Sequence, residues 1–291
     1  MRKITINLAA VAAFCIVVAS PALVSSSCAT PQTEQEDTTI IREDLGITAL
    51  KYSSPEVPSS IEFCGKVIDL SRFDRHERMD RELLAFTYMH STSLQMLKKA
   101  NRYFPIVEPI LKENGIPDDF KYLMVIESNM NPTARSSAGA AGLWQFMQGT
   151  GRDYGLEVNN NVDERYHIEK ATRAACRYLK DAYAKYKDWV AVAASYNAGQ
   201  ARIASQLAKQ DVDDSLDLQL VEETARYVYR ILAAKQLFSA PTTFGFRLRA
   251  SDLYPPIPYT EVTVTKGIAD LARFARSKGI NLALSLIHIS E

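Results

Sequence analysis

Phe120, Leu123, Met124 and Glu127 stand at i, i+3, i+4 and i+7. That spacing places three apolar side chains and one carboxylate on a single helix face. The same period returns in YHIEKATRAACRYLKDAYAKY. There Ile168, Ala171, Ala175, Leu179 and Ala182 line one side, while Glu169, Lys170, Arg173, Arg177 and Lys180 mostly form a solvated other side. WVAVAASYNAG, with its small apolar residues and Asn-Ala-Gly ending, suits a closely packed buried helix. A further helix is expected over roughly 220–238. Upstream, Leu83, Leu84, Tyr88, Leu94 and Leu97 form a broken stripe, and residues 80–114 read as two helices. The second is FPIVEPILKENG, with Pro105 and Pro109 near its start, Gly115 just past its end and a kink expected at Pro109. In IPDDFKYLMVIES, Pro117, Asp118 and Asp119 are expected in the first helical turn, and Asn131-Pro132 bars continuation. No convincing strand appears between 61 and 240. The fold class expected is mostly α.

Composition narrows the function. Of 291 residues, 47% are apolar, enough for a real core. Lys plus Arg and Asp plus Glu each number 34, so the chain lacks the basic footprint of a nucleic-acid binder. The histidines, His76, His90, His167 and His288, show no metal-ligand spacing, and neither a metal nor an organic cofactor is expected.

The first 28 residues read as an export signal: Arg2 and Lys3, an apolar run from Ile4 to Val18, then small residues. Cys28 leaves two outcomes open. It is the lipid-bearing residue of a membrane-anchored lipoprotein, or the chain is exported in soluble form; Ser25 fits the lipoprotein pattern poorly. Cys64 and Cys176 could pair in an oxidising compartment, but a buried free thiol is the plainer reading of Cys176. Residues 29–60 read as a flexible linker. A helical extension is expected over 61–115, the main domain over 116–240, and a linker with a short, truncated α+β tail over 241–291. In that tail Val262 and Val264 alternate as in a strand, and IADLARFARSKG reads as a short helix. SLIHISE continues no pattern and resembles a translated adapter scar.

Glu127 is the residue that core formation does not explain. A carboxyl on an apolar face is desolvated, which raises its pKa and suits it to protonate a leaving oxygen. The competing reading is an ordinary helix-end carboxylate that caps a neighbour or pairs with arginine. Glycoside hydrolysis needs a second carboxylate, and only Asp153 and Asp163 offer themselves, by nearness in sequence. Gly139 to Gly142 form either a plain turn or a place where a polysaccharide could approach the backbone. Trp144 is expected in the core, and Asn197 is a reasonable helix-end cap.

Taken in order, Glu127-Ser128, SSAGAAGLWQF at 136–146, SYNAG at 195–199 and ETARYV at 223–228 resemble the catalytic domain of the lytic transglycosylases. This is the soluble-transglycosylase or goose-lysozyme-like family, and the resemblance is strongest to its membrane-bound type D branch. It spans roughly Ile116 to Leu237. Ser137 and Ser195 depart mildly from the family's usual residues. The resemblance implies a lysozyme-like helical domain that cleaves the β-1,4 bond between N-acetylmuramic acid and N-acetylglucosamine in peptidoglycan strands. It implies Glu127 as acid and then base, with a 1,6-anhydro product formed without water. It implies substrate contacts from Ser128, Gln145, Met147, Tyr196 and Asn197, with Tyr227 held close to Glu127. It implies a location outside the cytoplasm, in the periplasm or at the outer membrane. A hydrolytic muramidase and a non-catalytic wall-binding protein are the alternatives. TEVTVTKGIADLARFARSKGIN resembles the first half of a LysM-like sugar-binding module.

Overall fold

The computed structural model describes residues 54–212, 214–257 and 267–279. The described chain is mostly α-helical, as expected, but it begins with a hairpin that the sequence reading lacked. Strand β1 (Ser60–Phe63) pairs antiparallel with β2 (Lys66–Asp69), Ile61 opposite Ile68. Ile61, Phe63 and Ile68 are buried. The connecting pair is Cys64-Gly65, both with positive φ (52° and 83°), the backbone a two-residue hairpin turn requires. Ser-Ile-Glu-Phe alternates over only four residues, Lys-Val-Ile-Asp does not alternate, and Cys-Gly lacks the usual Asn-Gly or Asp-Gly signal.

Two helices follow, with a different break from the one expected. Helix α1 (Phe73–Tyr88) ends at Met89, and α2 (His90–Glu113) then runs unbroken through Pro105 and Pro109. FPIVEPILKENG is therefore the last part of a long helix and not a helix of its own. Both prolines are exposed, while Tyr103, Val107, Ile110 and Leu111 are buried. The prolines each remove a helical N–H, but on the solvent side, and the buried face holds the helix.

Helix α3 (Phe120–Ser128) buries Phe120, Leu123 and Met124 completely. The Pro117-Asp118-Asp119 stretch forms a tighter lead-in turn outside α3, with Phe120 N bonded to Pro117 O at 3.1 Å. Asp119 uses its charge for tertiary contacts: its carboxylate accepts from Cys64 N at 2.7 Å and from Lys235 Nζ at 2.9 Å. Helix α3 stops where Asn129 and Met130 take left-handed φ of 48° and 56°. The remaining helices are α4 (Gln148–Asp153), α5 (Ile168–Tyr186), α6 (Trp189–Ala198), α7 (Gln200–Gln210), α8 (Glu222–Ser239) and α9 (Leu271–Ser277). Helices α5, α6, α8 and α9 match the expected elements; α4 and α7 were not anticipated.

Helix α8 is the centre of the arrangement, packed against α1, α3 and α6, while α5 packs on α2 and α6. The Ala-rich face of α6, Val190 to Ser195, is buried throughout, which lets its neighbours approach closely. Ion pairs tie α1 to the segment leading into α8: Arg75 reaches Asp214 at 2.8 Å and Asp217 at 3.0 Å. Buried Glu82 accepts from Arg226 Nε at 2.6 Å and Nη2 at 3.2 Å. Cys64 and Cys176 are both free, and Cys176 is buried. The signal segment, residues 29–53 of the linker, the expected strand at Val262 and Val264, and the SLIHISE segment lie outside the described residues. Among the described residues no helix is long and apolar enough to cross a membrane.

Candidate active site

Glu127 sits in the last turn of α3, and the packing of α3 on α8 brings Tyr227 to it. The Tyr227 hydroxyl donates a short hydrogen bond to Glu127 Oε1. Tyr227 is buried, whereas Glu127 keeps part of its surface open. Burial pushes the Glu127 carboxyl up to about 7. The Tyr227 hydrogen bond and the Arg230 charge act against that rise, and the Glu223 charge adds to it. Loss of hydration dominates, so the group is poised between acid and base near neutrality. Tyr227 and Tyr196 are both pushed well above the usual phenol value, first by burial and then by the Glu127 charge. Both phenols therefore stay protonated.

The small-residue loop follows α3 in the chain. Ala141 bridges Arg135 and Phe146, folding the loop back on itself. Gly142 has φ +78°, and a Cβ there would lie 1.9 Å from Arg165 O. Its close approach is thus to protein backbone; of the two readings left open for this glycine, that favours the turn over the glycan. Gly139, with φ +89° and nothing within 4 Å of a would-be Cβ, stays open. Buried Arg165 clamps the loop, donating to Gly139 O at 2.7 Å and Phe146 O at 3.0 Å. Asp163 holds Arg165 in turn, at 2.8 Å to Nε and 2.7 Å to Nη2. Asp163 is therefore committed to the clamp, and Asp153 lies exposed in the last turn of α4. The carboxylate that acts on Glu127 is Glu223, at the start of α8.

The other sequence-derived residues fall into three situations. Tyr196 is partly buried; its hydroxyl donates to Trp144 O at 2.8 Å, and its ring meets Tyr178 edge-on at 5.1 Å. Asn197 accepts from Thr224 Oγ1 at 2.8 Å, which joins the end of α6 to α8. Gln145 and Ser128 spend donors on the scaffold. Gln145 Nε2 bonds Ala134 O at 3.1 Å and Gly142 O at 2.7 Å, and Ser128 Oγ bonds Met124 O at 3.3 Å. Met147 is exposed just before α4. Trp144 is core, as expected: it is fully buried, and its Nε1 donates to Thr172 Oγ1 at 2.9 Å. Arg165, Glu223, Thr224 and Arg230 were missed. Glu223 and Thr224 lie inside the quoted ETARYV, but only its tyrosine drew notice. Among the described residues no group of three or more His, Cys, Asp and Glu side chains could hold a metal ion.

The site thus joins a carboxyl of raised pKa to a buried tyrosine that donates to it. Residues 105–217 match the Transglycosylase SLT domain family. The match takes in every site residue named from the sequence except Tyr227. Over 181 residues the chain is 30% identical to membrane-bound lytic murein transglycosylase D of Escherichia coli, covering 60% of this chain and 39% of that protein. It is 30% identical over 138 residues to the peptidoglycan transglycosylase gp16 of Escherichia phage T7, covering 45% of this chain and 10% of the other. An inactive mutant of lytic transglycosylase Slt from Pseudomonas aeruginosa superposes with a TM-score of 0.41 at 21% identity, covering 49% of this chain and 24% of that one. The chain thus spans about two fifths of the length of the Escherichia coli relative it matches.

Proposed function

We propose that the chain is a peptidoglycan lytic transglycosylase that cuts the bond between N-acetylmuramic acid and N-acetylglucosamine without water. The observation that carries this reading is the Glu127 carboxyl, held near neutrality by burial and touched by the Tyr227 hydroxyl. Protonated Glu127 gives its proton to the bridging oxygen as the glycosidic bond breaks. The substrate's own N-acetyl oxygen supports the positive anomeric carbon, so no second protein carboxylate is needed. Ionised Glu127 then takes the proton of the muramyl 6-hydroxyl, whose oxygen closes the 1,6-anhydro ring. Atoms and protons balance: Glu127 ends as it began, and proximity makes the internal attack faster than attack by solvent. Tyr227 orients the carboxylate through both steps. Tyr196, Asn197, Ser128, Gln145 and Met147 surround the sugars, although Ser128 and Gln145 have only their oxygen atoms left for a ligand. The relatives named membrane-bound support an exported protein, periplasmic or held at the outer membrane, with Cys28 as its lipid anchor.

One observation favours a second reading. The Glu223 carboxylate acts on Glu127, and a second carboxylate near the first could activate water as in an inverting muramidase. Digestion of purified sacculi with wild type and Glu127→Gln separates these. Products lighter by one water than the hydrolysed muropeptides, absent with the variant, uphold the transglycosylase. Products with a full reducing end point to the muramidase and to Glu223. Unchanged cleavage by Glu127→Gln removes Glu127 from either mechanism.

A further inference from the structure

A second recess lies where α7 meets the start of α8, apart from the Glu127–Tyr227 pair. It is an open hollow of about 90 Å³, walled by Arg202, Gln206, Gln219 and Val221 over the buried Thr224. Its free side-chain groups are mostly donors: Arg202 and Gln206 present donors, and the Gln219 amide presents one donor group and one acceptor. Gln219 N donates to Gln210 Oε1 at 2.7 Å, and Gln210 Nε2 donates to Gln219 O at 3.0 Å, which fixes the orientation of the Gln210 amide. Gln210 Nε2 also donates to Gln206 Oε1 at 2.7 Å, so the acceptor of Gln206 is used and its amide donor is not. Thr224 does the same to Asn197 beside the hollow, taking its Oδ1 at 2.8 Å. Among the described residues no acceptor serves those two amide NH2 groups, and no carboxylate pairs with the exposed Arg202. The acids next in sequence do not close the gap: Glu222 pairs with Arg81 at 2.6 Å, and Glu223 acts on Glu127.

The Arg202 guanidinium beside the free Gln206 amide donor suits an anionic, planar acceptor, and a carboxylate on arginine fits best. The volume admits a carboxylate and the atoms bearing it. Thr224 joins this recess to Asn197, one of the candidate sugar contacts. Peptidoglycan carries peptide stems with free carboxylates on alternate sugars. On the footing of the proposed function, we infer that the Arg202 recess takes a carboxylate of the peptide stem branching from the glycan in the Glu127 cleft, and so selects stem-bearing strands.

The test compares stem-bearing glycan strands with strands stripped of their stems by an amidase, using the full chain. Arg202→Gln is expected to lower kcat/KM on stem-bearing strands by about tenfold, the scale of one charge-assisted hydrogen bond, and to change it by less than about twofold on stripped strands. Arg202→Lys, which keeps the charge but not the planar fork, should recover only part of the loss. An equal fall on both substrates, or no fall on stem-bearing strands, overturns the inference. Should folded wild type cleave neither polymer, the proposed function fails, and peptide binding decides the recess alone. A synthetic stem tetrapeptide that binds wild type, binds Arg202→Gln more weakly and loses affinity when its carboxylates are amidated upholds the recess. No binding, or equal binding of the amidated peptide, overturns it.

Discussion

Two faces of α8 treat carboxylates in opposite ways. Toward α1 and the segment before α8, three acidic groups meet arginine: Glu82 with Arg226, Asp214 with Arg75, Asp217 with Arg72 and Arg75. There the Arg72 hydrogen bond helps hold Asp217 down at about 2. Toward α3, Glu127 meets a neutral phenol, and burial pushes it up to about 7. The residue types are similar and the helix is shared; the partner decides the direction. Pairing with arginine spends a carboxylate on stability. Withholding a paired cation leaves a carboxyl that can still exchange its proton, at a cost to the fold.

The contrast is broken most severely by Glu127→Gln, which should lower cleavage of sacculi by at least about a thousandfold, the scale of losing a general acid, while leaving the fold intact. Stability should not fall and should rise above neutral pH. A raised folded-state pKa means that the native state holds its proton longer than the unfolded chain does. Stability therefore declines as pH rises from the ordinary carboxyl value of 4.5 to about 7, by up to about 3 kcal/mol. Melting curves across that window should show the slope in wild type and not in the variant.

Next in size is Gly142→Ala, which drives a methyl into Arg165 O and should cost about 3 kcal/mol or more, read as the midpoint of denaturant unfolding. Gly139→Ala meets no atom and should cost about 1 kcal/mol for its φ alone. Tyr227→Phe should slow cleavage about tenfold or more for a stability loss of about 1 kcal/mol. Because the Tyr227 hydrogen bond lowers the Glu127 pKa, its loss should move the alkaline limb of the rate profile upward; a downward move would contradict the assigned role. The smallest effect belongs to the opposite face. Asp217 is partly exposed, so its pairs are screened, and Asp217→Asn should cost about 1 kcal/mol. Its depressed pKa places that stability above the ordinary aspartate value of 3.8 and removes it as pH falls through about 2. The wild-type acid limb should therefore be steeper than the variant's.

What could be read from sequence followed from period and chemistry together. Phe120, Leu123, Met124 and Glu127 declared both a helix face and an unexpected carboxyl, and the face is buried as that spacing required. Pro105 and Pro109 misled because local rules penalise proline without seeing that both would face solvent on a helix anchored by its other side. The hairpin was invisible because Cys64-Gly65 supplies its turn without the usual residues. Arg165 is the clearest loss at the site. Its reach to Gly139 O and Phe146 O spans distant sequence, and no local pattern marks an arginine that will bond two carbonyls. Glu223 was hidden for the same reason: its effect on Glu127 exists only once α3 lies on α8.

The account rests on the ionisation of one side chain, and that can be observed directly. Glutamate labelled at its side-chain carboxyl carbon, followed by NMR through a pH titration of the full chain, should show one resonance titrating near 7 and missing from Glu127→Gln. If the resonance lost in that variant titrates at the ordinary carboxyl value of 4.5, Glu127 is ionised at neutral pH, and it cannot be the acid that opens the glycosidic bond.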